Sequence, residues 1–382
     1  MAGGERLWPA AKPPAKASPD IYIISHSERS EESLADISDK STFKRLIAIN
    51  RRPYLRGFLL IKQRLKGKLP ENAYFCRRLL FQPEICMSGP KIKILFIVNP
   101  VSGVHHSRKA VLAGLAADTL DPERFEWEIV FSESAEHVKA LSRAAAETGT
   151  NIIAAVGGDG TVNQVVKGMF GSHSVLALIP AGSGNGLAHH LGIPSDIGES
   201  LALINNMNVK QVDTVSINDD LFVSIAGVGF DALVAKKFAR SGRRGFLSYF
   251  RIVTNEYNYY RPRNYKLLID GQMYHREALF VSFANTNQFG YNTIISPSAQ
   301  IDDGLVDVCI VKKVPLIYAP HVVGLLLTRK IDASDYVEVI KAREVSLTRR
   351  KNRVINLDGE PVKLDKTLHI RVNPLSLSMI VT

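Results

Sequence analysis

The residues with the greatest potential for chemistry lie in one stretch, 151–166. An apolar run ends at Gly157 and Gly158, Asp159 supplies one carboxylate, and an amphipathic helix pattern follows Thr161. This order predicts a strand, a glycine turn and a helix start. Backbone N–H groups and the positive end of a helix dipole converge at such a junction, which suits it to phosphate. Two adjacent glycines are equally compatible with a βα turn that binds nothing.

Two more loops of small residues follow predicted strands in the same half of the chain. In a parallel sheet all three loops can share one edge, where glycines admit a polyphosphate and polar side chains hydrogen bond to it. The pattern is neither a Walker loop nor a dinucleotide fingerprint. The residues that we expect at the phosphates are Asn99, Ser102, Gly103, Gly157, Gly158, Gly160, Thr161, Gly182, Ser183, Gly184 and Asn185.

Strands and helices must alternate to position these loops. Apolar runs predict a strand before each loop and another at 126–131, and helical patterns separate them. The repetition predicts an α/β domain with a parallel sheet that binds its ligand at the carboxyl ends of the strands. The predicted strands are 92–98, 126–131, the run before Gly157, and 175–179, and the predicted helices are 107–117, 134–147, 185–191 and 197–207.

Beyond residue 210 the hydrophobic period falls toward two, which predicts a β-rich second domain that resembles a sandwich. Asp270 and Gly271 are a strong hairpin signal, and one helix is predicted at 316–328. The predicted strands are 211–217, 221–226, 265–269, 277–283, 305–311, 345–347, 353–357 and 368–372. We therefore expect an α/β domain at 89–209 and a β-rich domain at 210–375, with a nucleotide held between them.

Composition limits the classes of partner. The formal charge is +11, yet residues 1–86 carry sixteen Lys and Arg against nine Asp and Glu, so the remainder is only mildly basic. The main body also lacks nucleic-acid signatures, and we expect no nucleic acid partner. Residues 1–88 differ in composition from the rest; we interpret them as a non-native or disordered leader, with Met87 as the natural start, and a basic arm on anionic lipid as the alternative.

Cysteine use and hydropathy bear on the compartment. Cys76, Cys86 and Cys309 form neither a metal spacing nor a disulfide framework, which favours a reducing compartment. The longest apolar candidate, 314–328, is interrupted by prolines and is too short to span a bilayer. We expect a cytoplasmic protein, with peripheral contact at the inner membrane face as a further option.

Three motifs in order resemble a known family, the diacylglycerol kinase catalytic domain family, which includes sphingosine and ceramide kinases and bacterial lipid kinases and shares its fold with NAD kinases. The resemblance runs from about Lys91 to the C-terminus. The motifs are Asn99-Pro100 with Ser102-Gly103, Gly157-Gly158-Asp159-Gly160-Thr161 followed by Asn163, and Pro180-Ala181-Gly182-Ser183-Gly184-Asn185. The resemblance implies ATP and Mg²⁺ as cofactors, a membrane lipid as substrate, and a last strand at about 376–382 that returns to the first domain.

The resemblance also implies roles for acidic residues in the second half. Asp231 occupies the place of a headgroup contact in the similar sphingosine kinases, although a helix cap is the simpler interpretation. Asp303, with the carbonyls of Gln300 and Leu305, corresponds to a structural Mg²⁺ site of bacterial relatives, although a turn would suffice. Glu360, in Asp-Gly-Glu, is a candidate base, and we favour it over Asp159, which we assign to metal and phosphate organisation through ATP.

Several alternatives stay open at this stage. The segment 236–251 mixes basic and aromatic residues, which suits either an anionic membrane surface or a solvated helix face. With Gly186 after Asn185, the third motif resembles the version found in sphingosine kinases. The acceptor lipid stays open between diacylglycerol and a sphingoid-type lipid. An NAD kinase and a non-catalytic lipid- or nucleotide-binding regulator are the competing functions. The oligomeric state is open, a homodimer included.

Overall fold

A computed structural model describes residues 90–100, 108–242, 245–289 and 293–382. The expectations for residues 1–88, for Ser102 and Gly103, and for the arginines at 243 and 244 therefore lie outside the described residues. Within the described part, the structure has the two kinds of architecture that the sequence predicts, and each is built from different local patterns.

Strands and helices alternate in the first part of the chain. Strand β1 lies between β2 and β3, β4 lies beyond β3, and all four run parallel. The elements are β1 Ile92–Val98, α1 Arg108–Thr119, β2 Phe125–Phe131, α2 Ala135–Glu147, β3 Ile152–Gly157, α3 Asp159–Met169, β4 Val175–Pro180, α4 Gly186–His190 and α5 Ile197–Asn206.

The register of this sheet aligns the loops. Val98 pairs with Val156, and Gly157 pairs with Pro180, so that β1, β3 and β4 end at the same edge. Strands β3 and β4 and the end of β1 are buried on both faces, because helices cover each side: α1 and α5 pack on one face, and α2 and α3 pack on the other. This arrangement explains the continuous apolar runs of the sequence and brings the strand ends to one place.

The second part is dominated by antiparallel strands. Its elements are β5 Val209–Ile217, β6 Asp220–Phe222, β7 Ile225–Gly229, α6 Phe230–Arg240, α7 Phe246–Tyr257, β8 Arg263–Ile269, β9 Gln272–Ala278, β10 Phe280–Ala284, β11 Val306–Val311, a 3₁₀ helix Leu316–Tyr318, α8 Ala319–Leu327, a 3₁₀ helix Ile331–Ala333, β12 Val337–Ala342, β13 Glu344–Thr348, β14 Arg353–Leu357, β15 Glu360–Leu364 and β16 Thr367–Ile380.

Two sheets form this part. One has the order β12-β11-β10-β7-β14-β15, and the other joins β5, β6, β8, β9, β13 and β16 to the parallel strands of the first part. Side chains from the facing sheets share one core, including Phe222, Phe283 and Leu347, as in a β-sandwich. Strand β16 makes the connection, since it pairs antiparallel with β5 and parallel with β4 at Met379 and Leu176. The predicted fold class is confirmed, with the addition that the first sheet is mixed.

Some element boundaries were predicted wrongly. The single strand expected at 221–226 is two strands, because the chain turns at Val223 and Ser224, whose amides donate to a buried carboxylate. The strand expected at 277–283 is likewise divided at Leu279, where the chain passes from β9 in one sheet to β10 in the other. Helix α7 and strands β12 and β15 were not predicted.

Candidate active site

Asp159 is the first residue of α3 and follows β3 after one glycine. Gly158 is the N-cap residue and has no side chain to satisfy the helix amides. The backbone of Gly182, from the loop after β4, packs directly on Gly158, and a Cβ on Gly182 would overlap the Gly158 Cα. The second and third small-residue loops therefore contact each other, and glycine is required at Gly182 because no side chain fits there.

Asn185 closes the loop after β4. Its backbone is left-handed, with φ of 49°, and its side-chain oxygen accepts from the Gly182 amide at 3.1 Å while its side-chain nitrogen donates to the Gly182 carbonyl at 3.0 Å. Asparagine tolerates this conformation and makes such local bonds more readily than most residues. Ser183 lies exposed in the loop, and a Cβ on Gly184 would stand 3.0 Å from Asp159 Oδ2. The loop thus wraps the Asp159 carboxylate.

The carboxylate of Asp159 lies in an environment that disfavours its charge. Burial, and the nearby Asp358, raise its pKa to about 6, although the amides of Gly186 and Leu187 oppose the shift. The Leu187 amide is 3.4 Å from Oδ1. Asp159 keeps intermediate exposure at the edge of the sheet, so a ligand can reach it. A carboxylate with a raised pKa at the accessible edge of the sheet is suited to bind a cation, which would balance its negative charge.

The first loop reaches the same place through Asn99. Its side-chain amide donates to Thr161 Oγ1 at 3.1 Å, across 62 positions of sequence. Thr161 is buried in the first turn of α3, and its side chain occupies the space that a Cβ on Gly157 would need. Asn99 and Thr161 are therefore linked to each other and to the glycine turn, beside the Asp159 carboxylate.

Glu360 reaches this site from the β-rich part. It is the first residue of β15 and is exposed, and a Cβ on Gly160 would lie 2.5 Å from Glu360 Oε1. The glutamate therefore packs over the backbone of the residue that follows Asp159. The turn before it is tight, with positive φ at Asp358 and Gly359. Two carboxylates, 201 positions apart in the printed sequence, are thus brought near Gly160: Asp159 precedes it in the chain, and Glu360 lies over its backbone.

The turn that carries Glu360 is fixed by the buried carboxylate of Asp358. It accepts from the amides of Val223, Ser224 and Ile225, each at 2.9 Å, and from the side chain of Asn163 at 2.9 Å. Four donors satisfy the charge, although burial still raises the pKa of the carboxyl. Because Asn163 belongs to α3, the helix of Asp159 and the hairpin of Glu360 share one hydrogen-bond network.

Asp231 lies in the first turn of α6 and is buried. The N-cap of that helix is Gly229, so the simpler interpretation of Asp231 as a cap does not describe it. The Asn356 side chain donates to both Asp231 oxygens, at 3.2 and 3.0 Å, and its own oxygen accepts from the Gly359 amide at 3.0 Å. Asp231 is therefore connected through Asn356 to the Glu360 turn, and burial raises its pKa to about 6.

The residues expected to hold a structural Mg²⁺ are grouped around Asp303. Its Oδ1 accepts from the Leu305 amide at 3.0 Å, and its Oδ2 pairs with Lys341 Nζ at 3.1 Å. The same ammonium contacts Asp307 Oδ1 at 3.0 Å and the Ser298 carbonyl at 3.3 Å. A divalent ion at Asp303 would have to displace this positive charge, so these residues fit a structural Mg²⁺ poorly. That assignment, including the carbonyls of Gln300 and Leu305, stays a prediction.

Mg²⁺ fits better beside Asp159. Across the residues that the structure describes, no group of three or more His, Cys, Asp or Glu is able to hold a metal by itself. Mg²⁺ in phosphoryl transfer, however, is usually held by one or two carboxylates together with substrate phosphates. Asp159, whose pKa is raised by burial and by the nearby Asp358, offers such a carboxylate next to the glycine loops.

The sequence singled out most of these residues, but it missed the network that positions them. Asn163 and Asp358 were considered only as members of their motifs, and no role was predicted for Asn356. The sequence did contain a signal for this role. Each residue lies near a glycine turn and has a short amide or carboxylate side chain, which can hydrogen bond to backbone groups that lack a backbone partner. Only the fold shows that they meet.

Comparisons with known proteins agree with this geometry. Residues 93–217 match the diacylglycerol kinase catalytic domain, and residues 224–381 match the YegS C-terminal NAD kinase beta sandwich-like domain. A diacylglycerol kinase of Mycobacterium tuberculosis is 28% identical over 224 residues, covering 56% of this chain and 72% of that protein. One of Bacillus subtilis is 27% identical over 273 residues, covering 69% of this chain and 88% of that protein.

The solved structures support the same fold. A crystal structure of a diacylglycerol kinase from Bacillus anthracis superimposes with a TM-score of 0.62 at 24% identity, covering 77% of this chain and 98% of that chain. Residues 93–217 therefore form a diacylglycerol kinase catalytic domain and residues 224–381 a YegS-type C-terminal domain, and the relatives named as kinases support a kinase enzyme.

Proposed function

We propose that this kinase transfers the γ-phosphate of ATP to a hydroxyl of diacylglycerol or of a sphingoid-type lipid. The observation that carries the proposal is the position of Glu360, whose carboxylate packs over Gly160 beside Asp159. One carboxylate comes from the loops suited to phosphate and the other from the β-rich part. A phosphate donor and a hydroxyl acceptor can therefore meet between them, as phosphoryl transfer requires.

The nucleotide phosphates would lie along the edge where β1, β3 and β4 end. The close contact of Gly158 and Gly182 leaves backbone without side chains on that edge. Asn99 and Thr161 supply side-chain hydrogen bonds, and the amino terminus of α3 faces the same edge. Mg²⁺ bound with ATP would neutralise charge on the phosphates, and Asp159 is the residue that would hold it.

Glu360 is proposed as the base. Its carboxylate is exposed, whereas that of Asp159 is engaged by amides and wrapped by the Gly184 loop. The hydroxyl oxygen of the lipid forms a bond to the γ-phosphorus as the bond from that phosphorus to the ADP oxygen breaks. The hydroxyl proton passes to Glu360, so that Asp159 keeps its negative charge for the metal and phosphates.

The acceptor site is proposed around Asp231. The residue is buried next to Gly227, where a Cβ would overlap the carboxylate. A pKa of about 6 leaves the carboxylate ionised at neutral pH. Among the described residues its side-chain partner is the neutral Asn356, and such an ionised acceptor suits a hydroxyl or amine of a lipid headgroup. The link from Asp231 through Asn356 to the Glu360 turn would couple headgroup binding to the position of the base.

An acceptor panel tests the proposal. The purified protein is incubated with ATP labelled in the γ-phosphate and, separately, with diacylglycerol, sphingosine, ceramide and NAD. Label in diacylglycerol or a sphingoid lipid is the expected result. Label in NAD alone would establish the NAD kinase alternative, and ATP binding without transfer to any acceptor would favour a non-catalytic regulator.

Access to a membrane lipid is the remaining part of the proposal. Among the described residues, no helix is long and apolar enough to cross a bilayer. Helices α6 and α7 carry Lys236, Arg240 and Arg251 together with the exposed rings of Phe246 and Phe250. We propose that this segment, 236–251, makes peripheral contact with an anionic membrane.

A further inference from the structure

The strongest feature outside the site is the helical segment Leu316–Leu327, the 3₁₀ helix and α8 together. Its inner residues Val322, Leu325 and Leu326 pack on the cluster that includes Cys309 and Val337. No residue of either helix is buried. The outer face is also largely apolar apart from the exposed His321, and five of its side chains are largely exposed: Leu316 at 63%, Ile317 at 81%, Tyr318 at 53%, Val323 at 50% and Leu327 at 78%.

A helix that is apolar around its whole circumference is normally buried. Here one face is covered by the sandwich and the other is not, and the exposed residues recur at intervals that place Leu316, Val323 and Leu327 along one stripe. The space around Gly324 is open, since a Cβ there would meet nothing within 4 Å. Several large apolar side chains exposed in one segment indicate a surface that is covered in function.

Charge indicates what covers it. The segment 312–330 carries Lys312 and Lys313 at its start and Arg329 and Lys330 at its end, with no Asp or Glu between them. Lys312, Arg329 and Lys330 are exposed. Apolar side chains framed by basic residues match the chemistry of an anionic membrane, whose headgroups attract the cations while the acyl boundary accepts the apolar groups.

The segment is joined to α7, a helix that also has exposed apolar residues. Tyr257, at the end of α7, donates to the Val314 carbonyl at 2.7 Å and accepts from the Val314 amide at 2.9 Å. Lys313 Nζ donates to the Tyr260 carbonyl at 2.8 Å and lies over the Tyr257 ring. The start of Leu316–Leu327 is therefore held against the end of α7.

We infer that Leu316–Leu327 is a membrane-docking surface that lies in the interface of an anionic bilayer. The inference rests on the proposed function, since a lipid kinase must take its acceptor from such a surface. Ile317 and Leu327 would enter the acyl boundary, and the flanking Lys and Arg would remain with the headgroups. This surface is separate in sequence from 236–251, and the Tyr257 contact joins the two.

Vesicle cosedimentation of the full chain tests the inference without ATP, so that its outcome does not depend on the kinase reaction. The vesicles contain phosphatidylcholine with or without phosphatidylglycerol. The wild type should bind the anionic vesicles, and the Ile317→Ser/Leu327→Ser variant should bind them about ten- to a hundredfold more weakly, because two apolar side chains no longer leave water. Val111→Ser/Met273→Ser, at exposed apolar residues on α1 and β9, is the matched control and should bind as the wild type does.

A second variant separates the charge from the apolar contribution. Arg329→Gln/Lys330→Gln should weaken binding to anionic vesicles and reduce its salt dependence, and thermal unfolding should show that each variant folds. Equal binding by the wild type and the Ile317→Ser/Leu327→Ser variant would overturn the inference. A wild type that does not bind vesicles but forms a dimer would overturn the inference if the Ile317→Ser/Leu327→Ser variant is monomeric. The surface would then be covered by a second copy of the chain. Weakened binding with no lipid phosphorylation in the acceptor panel would reject only the proposed function.

Discussion

The side-chain amide of Asn163 donates to Asp358 Oδ2 at 2.9 Å, although the two residues are 195 positions apart. This bond joins the helix that begins at Asp159 to the turn that presents Glu360. Both partners are buried, and the Asp358 carboxylate also receives three backbone amides. The distance between the two proposed catalytic carboxylates therefore depends on a network that touches neither of them directly.

The network predicts the effect of Asp358→Asn. The new asparagine side chain keeps one acceptor oxygen, but its N–H₂ group faces backbone N–H donors and cannot accept from them. We therefore expect the free energy of unfolding to fall by about 2–4 kcal/mol and kcat to fall about ten- to a hundredfold. Urea unfolding and steady-state kinetics measure the two effects. Asp270→Asn is the matched control, because Asp270 also begins an Asp-Gly turn with positive φ, and it lies away from the site. Normal kcat in Asp358→Asn would contradict the positioning role.

Gly160 predicts a second effect, in which activity falls and stability changes little. Alanine is favoured over glycine in a helix by roughly 0.5–1 kcal/mol, yet a Cβ at Gly160 would stand 2.5 Å from Glu360 Oε1. We expect Gly160→Ala to lower kcat while thermal unfolding shows little loss of stability. Gly114→Ala, in α1, has open space around the new methyl group and should leave kcat unchanged. An active Gly160→Ala would show that Glu360 does not act from this position.

The raised pKa of Asp159 predicts proton release on binding. At a pH near its pKa of about 6 the free enzyme holds about half a proton on this carboxyl, and Mg²⁺ with ATP should favour the ionised form and release it. Calorimetry of binding in two buffers of different ionisation enthalpy measures the protons released. Asp159→Asn should abolish the release, whereas Asp231→Asn should retain it. Release that survives Asp159→Asn would place the titrating group elsewhere.

Asp231 predicts a pH dependence of stability. Its pKa rises from 3.8 when unfolded to about 6 when folded, so below about pH 4 it is protonated in both states and has no effect. As pH rises from about 4 to 6 the folded state must ionise a buried group, and unfolding free energy falls by up to about 3 kcal/mol. Asp231→Asn should remove this decrease, and so be relatively more stable near neutral pH.

Urea unfolding at about pH 4 and about pH 7.5 measures the dependence. Asp219→Asn, at an exposed residue, is the control and should show the same difference between the two conditions as the wild type. A wild-type profile that Asp231→Asn does not alter would contradict the burial cost assigned to this carboxyl.

The comparison with the sequence shows which information is local. The run before Gly157 and the glycines after it predicted β3 and the start of α3, because burial and turn chemistry are set by neighbours in the chain. The parallel sheet followed from the alternation of such units. By contrast, the division of 221–226 into β6 and β7 depends on Asp358, more than 130 positions away. No local pattern encodes that contact.

The same distinction applies to the site. Small-residue loops after parallel strands predicted the place of Asn99, Asp159 and Asn185, since the register of parallel strands is limited. The lysine beside Asp303 was not foreseen, because Lys341 approaches from β12 across the sheet. Contacts between side chains on strands that are distant in sequence can be identified only once the fold is known.

The proposed reaction is tested most sharply by transfer of labelled γ-phosphate to a lipid in detergent micelles by the wild type, Asp159→Asn and Glu360→Gln. We expect labelled lipid from the wild type, none from Asp159→Asn, and strongly reduced transfer by Glu360→Gln, which should still bind ATP. Thermal unfolding checks that both variants fold. Transfer at the wild-type rate by Asp159→Asn would exclude an essential role of this carboxylate in the reaction.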